Sequence, residues 1–182
     1  MDLIEWTFDP LQAANAHFNV ACLGCIASDY RIDAYGEMSG PLHRGTPTDR
    51  LVAEWWIRRP HVERRIGARG QNASPSLALA RDAGVLEAPA IVETRRDNRW
   101  IACGAVTLGR TDRRLLLPVP PQFSDMQQQA TAIALAWRLA TREAFTDSFA
   151  RGYQVVDFLL DPQVGGGSYL LAQKDSTIAM KA

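Results

Sequence analysis

The sequence predicts an α+β fold in which short strands alternate with two longer helices. Apolar residues recur at period two in several short stretches and at helical spacing in two longer ones, and prolines or glycines separate these stretches. The order strand, proline, helix, glycine, strand, loop, strand occurs twice, at residues 3–57 and 114–173. This repetition indicates either a weak structural repeat or the ordinary order of elements in α+β domains.

The first predicted element is a strand at Leu3–Asp9 that leads directly into a helix at Pro10–Leu23. The strand alternates apolar with polar residues, as a half-buried strand does. Its apolar face consists of Ile4, Trp6 and Phe8. Asp9 stands at the helix N-cap, Pro10 at the first helical position and Gly24 at the C-cap, where these residue types are favoured.

Four residues of this helix recur at helical spacing and define its predicted apolar stripe. They are Leu11, Asn15, Phe18 and Cys22. An asparagine in such a stripe is either a buried amide bonded to the backbone or an amide that faces a ligand cleft, and the first case is the commoner. We expect Leu11 and Phe18 to pack against the apolar face of the strand.

The following segments predict strands, a long loop and a linker. Strands are predicted at Cys25–Asp33 and Arg50–Arg58, and a helical turn at His61–Ile66. The loop at 34–49 is rich in glycine and proline and longer than most connections, which makes it a candidate functional loop. The small polar residues at 67–76 predict a linker between a domain at 1–66 and an α+β region at 77–182, which can pack on the same sheet.

The C-terminal region predicts further strands around one long helix. A short helix is predicted at Leu77–Ala83, and strands at Ala90–Thr94, Trp100–Leu108 and Arg114–Val119. Ser124 and Gln127 form a capping box, and apolar residues then recur at helical spacing as far as Arg151, which predicts a single helix. Strands at Tyr153–Leu160 and Ser168–Gln173 follow, so this part reads strand, long helix, strand, strand.

Composition and charge limit the classes of partner. Of the 182 residues 47% are hydrophobic and 22% are charged, as in ordinary globular proteins. The 20 basic and 20 acidic side chains balance, which argues against nucleic acid as a partner, because nucleic-acid-binding surfaces carry a basic excess. No apolar run approaches the ~20 residues of a membrane-spanning helix, and residues 1–20 lack the basic start of a signal peptide, so we expect a cytoplasmic protein without a membrane partner.

Several segments resemble the GNAT superfamily of N-acetyltransferases. They are WTFDPLQAANAHFNVACLG, AYGEM and GTPTDRLVAEWW, followed by RLATREAFTDSFARGYQVVDF and SYLLAQ. The resemblance covers most of the chain and is to the C-terminal half of a predicted family member. It implies part of a GNAT-like mixed sheet in which Leu3–Asp9 is the fifth strand, with the C-terminal strand, long helix, strand, strand as an extension. The family's N-terminal half, which carries the pyrophosphate loop for acyl-CoA, is expected before residue 1, so we expect an N-truncated form.

The resemblance implies an acyl-CoA-dependent N-acyltransferase that uses acetyl-CoA and an amine acceptor of unknown identity. Because the pyrophosphate loop is not found in this sequence, we expect the chain alone not to bind acetyl-CoA tightly. Two alternatives remain open: a non-catalytic GNAT-like module that binds a ligand through the loop at 34–49, and a structural domain that forms a homodimer through the edge of the Leu3 strand. We expect that edge to be covered by a C-terminal strand, with Tyr153–Leu160 favoured, or by a second copy.

The resemblance also draws attention to six candidate site residues. They are Asn15 and Asn19 for the pantetheine arm, Tyr35 and Glu37 for catalysis, and Asp49 and Arg50 for substrate binding. The simpler interpretation of the last two is a turn aspartate and a strand-edge arginine in a surface ion pair. Cys22 and Cys25 form a C-x-x-C pair with no second pair, so we expect packing cysteines and no metal site.

Overall fold

The computed structural model describes residues 2–36, 45–67, 85–161, 163 and 165–174. The strands are β1 (Leu3–Phe8), β2 (Tyr30–Arg31), β3 (Arg50–Trp56), β4 (Val92–Asp97), β5 (Trp100–Val106), β6 (Arg114–Val119), β7 (Tyr153–Leu160) and β8 (Gly167–Gln173). The helices are α1 (Ala13–Ala16), which continues into a π-helical turn (His17–Cys22), then α2 (Pro60–Gly67), a 3₁₀ turn (Val85–Glu87), α3 (Phe123–Gln129) and α4 (Thr131–Ala150). The predicted α+β class is confirmed. Glu37, the predicted helix at Leu77–Ala83 and nearly all of the predicted linker lie outside the described residues.

The strands form three small antiparallel sheets, and single bridges connect two of these sheets through the segment before β2. The sheet orders are β1-β3-β2, β4-β5 and β6-β8-β7. Ile26 bridges to Glu54 of β3, and Ala27 bridges to Val155 of β7, so this segment lies between the N-terminal and C-terminal sheets. A parallel bridge also joins Ala90 to Leu116 of β6.

The expected cover of the β1 edge by β7 is wrong. Within the described part of the chain, β1 pairs with β3, in a register that places Leu3 opposite Trp56. The other side of β3 is taken by the segment that leads into β2, and β7 meets that segment at Ala27. Residues from both predicted domains, 1–66 and 77–182, therefore contribute to one core. Pairing of the β1 edge with a second copy stays a prediction.

The helix after β1 begins later than its sequence predicts and changes its phase. Asp9 is not the N-cap: its Oδ1 accepts the backbone N–H of Leu11 at 2.9 Å, which forms an Asx turn, and the first helical residue is Ala13. The wider π-helical turn then shifts the side chains around the axis. The predicted stripe is confirmed at Leu11, which is fully buried, and is wrong beyond it: Phe18 is 47% exposed, and Ala13, Ala16 and Val20 are buried instead.

Gly24 ends this helix as predicted. Its φ of +78° lies in the left-handed region, which glycine adopts without strain. The N–H of Cys25 then bonds to the carbonyl of Asn19 at 3.0 Å and closes the helix end.

The long C-terminal helix is divided in two at Ala130, which has φ −147° and ψ 53°. The predicted capping box is wrong, because Gln122 occupies the N-cap and makes no side-chain cap bond. The hydroxyl of Ser124 instead accepts a bond from the Gln12 side chain at 3.0 Å. Ser124 thus bonds to Gln12, which is distant in sequence, and does not cap its own helix.

The core joins the C-terminal sheet to the turn after β1. Phe145 of α4 and Phe158 of β7 each make edge-to-face contact with the ring of Tyr169, with centroids 5.3 and 4.9 Å away. The Tyr169 hydroxyl donates to the carbonyl of Pro10 at 2.8 Å, so β8 reaches the start of the chain. Trp137, which is fully buried, donates to the carbonyl of Ile101.

Among the described helices, none has both the length and the apolar character needed to cross a membrane.

Gly167 at the start of β8 has no room for a side chain. A Cβ there would lie 2.5 Å from the carbonyl oxygen of Leu159 and 2.7 Å from the ring of Phe158. We expect Gly167→Ala to lower the free energy of unfolding by about 1–3 kcal/mol, because backbone and a buried ring must move. Urea denaturation measures the free energy of unfolding of this variant and of a control, Gly67→Ala. A Cβ at Gly67 would meet nothing within 4 Å. Equal stability of the two variants would contradict the packing described for β8.

Candidate functional site

A polar cleft of about 260 Å³ lies where the turn after β1, the loop before β3 and helices α3 and α4 meet. Its walls include Asp9, Gln12, Thr48, Arg50, Gln127 and Arg138. Charged, amide and hydroxyl groups thus dominate the lining, and two arginines face one aspartate. Such a cleft suits a compact polar ligand that carries negative charge.

The ion pair between Asp9 and Arg138 forms the inner wall of this cleft. The Asx turn after β1 presents both carboxylate oxygens of Asp9 to Nη1 and Nη2 of Arg138, at 2.8 and 2.7 Å. The Arg138 side chain is 1% exposed, and within the described residues its Nε has no hydrogen-bond partner. Burial alone would lower the pKa of Arg138, but the hydrogen bonds that it donates to Asp9 and the nearby negative charges together raise it. The guanidinium is therefore charged, and Asp9 compensates it.

A second ion pair, between Asp49 and Arg142, lies one helical turn further along α4. Nε and Nη2 of Arg142 each donate to the Asp49 carboxylate at 2.9 Å. The hydroxyl of Tyr30 and the backbone N–H of Asp33 donate to the same carboxylate, at 2.8 and 3.0 Å. Burial would raise the pKa of Asp49, but these hydrogen bonds together lower it. The surface-pair interpretation is wrong, since the side chain of Asp49 is fully buried and its partner is Arg142.

Arg50 is the cleft cation that is least engaged by a carboxylate. Its Nη1 donates to the carbonyl of Asp49 at 2.9 Å, and it lies 3.8 Å from Oδ2 of Asp9. Its guanidinium also lies 4.9 Å from the centre of the Tyr35 ring, which holds the side chain by a cation–π contact. The side chain of Arg50 is 20% exposed, so a ligand can reach it.

Tyr35 stands at the rim of the cleft and supports Arg50. Its hydroxyl lies 3.5 Å from Oγ1 of Thr7, and its backbone N–H donates to Thr48 at 3.1 Å. Hydrogen bonds to the Thr7 hydroxyl and to Arg50 lower the pKa of Tyr35. The ring is half exposed, so the hydroxyl is accessible to solvent.

Amide and hydroxyl groups complete the wall that α3 contributes. Gln127 donates to the hydroxyl of Thr46 at 2.7 Å, and Gln12 donates to the hydroxyl of Ser124 at 3.0 Å. These two contacts connect α3 to the loop before β3 and to the turn after β1. They also present hydroxyl and amide groups that can exchange hydrogen bonds with a ligand.

The predicted site residues divide into two groups. Arg50 lines the cleft, and Tyr35 and Asp49 contact Arg50 from outside the lining, Asp49 as a buried support and not a surface group. Asn15 is exposed, and Asn19 is buried and accepts a bond from the indole N–H of Trp6 at 3.2 Å. The interpretation of Asn15 as a buried amide bonded to the backbone is therefore wrong, and the buried amide, Asn19, bonds to a side chain.

Sequence reasoning missed the arginines of α4. Arg138 and Arg142 stand four residues apart, and Arg138 follows the buried Trp137. Two arginines at this spacing beside an apolar stripe are a signal for buried carboxylate partners, because a buried charge requires compensation. Nothing in the local sequence identifies the partners, which lie 129 and 93 residues away along the chain.

A second cavity, of about 300 Å³, has a more apolar lining. Arg65 and Asp157 face it and pair at 3.1 Å. Arg65 also donates to the carbonyls of Val20 and Ala21, so it caps the π-helical turn and acts structurally. Within the described residues, no three His, Cys, Asp or Glu side chains are grouped as a metal site. The nearby Cys25 is a buried thiol whose pKa burial raises to about 12.

Replacing Asp49 tests its role as a buried support. Loss of one partner from a buried pair costs about 3–5 kcal/mol, and we expect Asp49→Asn to lie at the lower end because Arg142 keeps some contact with water. Asp29→Asn is the control, since Asp29 forms an exposed pair with Arg31 worth less than about 1 kcal/mol. Urea denaturation near pH 7 measures both effects.

The same comparison has a defined pH dependence. Because the folded-state pKa of Asp49 is below the ordinary value of about 3.9, its stabilisation is complete above that value and is lost as the pH falls through the folded-state pKa. The stability difference between wild type and Asp49→Asn should therefore shrink below about pH 4. A difference that stays constant down to the acid transition would contradict this assignment.

No protein-family model, curated protein or solved structure matches this chain.

Proposed function

We propose that this chain is a small-molecule-binding domain whose cleft holds a compact polar ligand through an anionic group. The observation that carries the proposal is the position of Arg50, which lies in the wall of the cleft and, among the described residues, forms an ion pair only with Asp9, at 3.8 Å. A guanidinium has five N–H donors in a fixed fork that matches a carboxylate or a phosphate. Arg50 keeps donors for such a group after its bond to the backbone of Asp49.

The fixed surroundings of Arg50 favour binding. The cation–π contact with Tyr35 and the bond to the Asp49 carbonyl hold the guanidinium before a ligand arrives. Less side-chain freedom is therefore lost on binding. Because Asp9 compensates Arg138, no described carboxylate is left to compensate Arg50, whose charge can attract an anion.

We also propose a class of activity, an acyl-CoA-dependent N-acyltransferase with a GNAT-like sheet, in which the ligand is the amine acceptor. This proposal is supported by the origin of the cleft walls. Asp9, Arg50 and Arg138 belong respectively to the segments WTFDPLQ, GTPTDR and RLATR, which carry the resemblance to that superfamily. Calorimetric titration with acetyl-CoA tests the cofactor, and the sequence predicts no saturable heat for this chain alone.

Removing the charge of Arg50 tests ligand binding. Thermal-shift screening of small carboxylates and phosphate esters should identify binders, and calorimetry should show binding by Arg50→Gln weakened about 10- to 100-fold, since a hydrogen bond to a charged group contributes about 1.5–3 kcal/mol. The control is Arg58→Gln, because Arg58 is 76% exposed and lies outside the cleft.

Two results would overturn the proposed cleft function. One is unchanged affinity in Arg50→Gln. The other is the absence of any binder among these anions while the protein remains folded by circular dichroism.

A further inference from the structure

The cleft places a carboxylate and a guanidinium side by side without a hydrogen bond between them. Nη1 of Arg50 and Oδ2 of Asp9 are 3.8 Å apart, which is too long for a hydrogen bond. Both side chains are partly accessible, at 20% and 17%. The cleft therefore presents an accessible carboxylate oxygen and a guanidinium to the same ligand.

The described residues leave the carboxylate of Asp9 one acceptor position. Its Oδ1 accepts the N–H of Leu11 and one N–H of Arg138. Its Oδ2 accepts one N–H of Arg138 at 2.7 Å within the described residues. Since each carboxylate oxygen has two lone pairs, Oδ2 can accept one further bond. The partner for that position is an N–H or O–H donor, and a cation binds it best.

From this geometry we propose that the ligand is a zwitterion, an α-amino acid with a polar side chain. Its ammonium group donates to Oδ2 of Asp9, and its carboxylate accepts from Arg50. The two groups of an α-amino acid are attached to one carbon, so they lie close together and match the short separation of Asp9 and Arg50. This inference rests on the proposed function, because it names the ligand class of the same cleft.

The remaining walls and the size of the cleft agree with this ligand class. Thr46, Gln12 and Gln127 offer hydroxyl and amide groups to a polar side chain. The volume of about 260 Å³ lies just below the range typical of sites for drug-sized molecules, which favours a small ligand.

The experiment compares an amino acid with derivatives that each lack one charge. Thermal-shift screening of the twenty L-amino acids identifies the best binder, and calorimetry then compares it with its N-acetyl derivative and its methyl ester. The first derivative lacks the ammonium group and the second lacks the carboxylate. We expect each to bind at least tenfold more weakly than the parent, and Arg50→Gln to weaken the parent similarly while Arg58→Gln does not.

The outcomes separate this inference from the proposed function. Equal binding of the N-acetyl derivative would overturn the zwitterion and leave an anion-binding cleft in place. Binding of simple carboxylates or phosphate esters, with no binding of any amino acid, would do the same. If neither amino acids nor other anions bind, both the inference and the proposed function fail. The test uses ligand derivatives and not the variant Asp9→Asn, because that variant would also remove the partner of the buried Arg138.

Discussion

The two aspartate–arginine pairs on α4 are the interaction on which the arrangement of this chain depends. Asp9 follows β1 and Asp49 precedes β3, whereas Arg138 and Arg142 stand one turn apart on the single helix α4. Charges buried this deeply are tolerated only when they are paired and hydrogen-bonded. Each buried charge therefore requires its partner, and the two pairs fix α4 against the turn after β1 and the start of β3.

This constraint also produces the cleft. Arg138 and Asp9 form its inner wall. The carboxylate of Asp49 is paired with Arg142, and the backbone carbonyl of Asp49 accepts a hydrogen bond from Arg50. Arg50 consequently keeps its charge for a ligand. Each fully buried charge, on Arg138 and on Asp49, pairs with a partly exposed partner, Asp9 and Arg142 respectively, and holds the structure. Arg50 is also partly exposed, and it is the arginine of this cluster that can contact a ligand.

Local signals in the sequence predicted the parts of the fold that depend on local physics. The bounds of β6 and β7 and the end of the first helix at Gly24 follow from apolar alternation and from glycine, and the structure confirms them. The π-helical turn, the exposed Phe18 and the break at Ala130 were not predicted, because tertiary contacts override helical periodicity there. Of the predicted site residues, Arg50 lines the cleft and Tyr35 and Asp49 contact it, but the roles of Asp9 and Arg138 depend on partners distant in sequence.

A double-mutant cycle on Asp9 and Arg138 tests the central claim most directly. The free energy of unfolding is measured by urea denaturation for wild type, Asp9→Asn, Arg138→Met and the double variant, with methionine chosen as an apolar replacement of similar length. If the pair supports the arrangement, the double variant is more stable than the sum of the single effects implies, with a coupling energy of about 1–3 kcal/mol. Additive effects within ~0.5 kcal/mol would contradict the account.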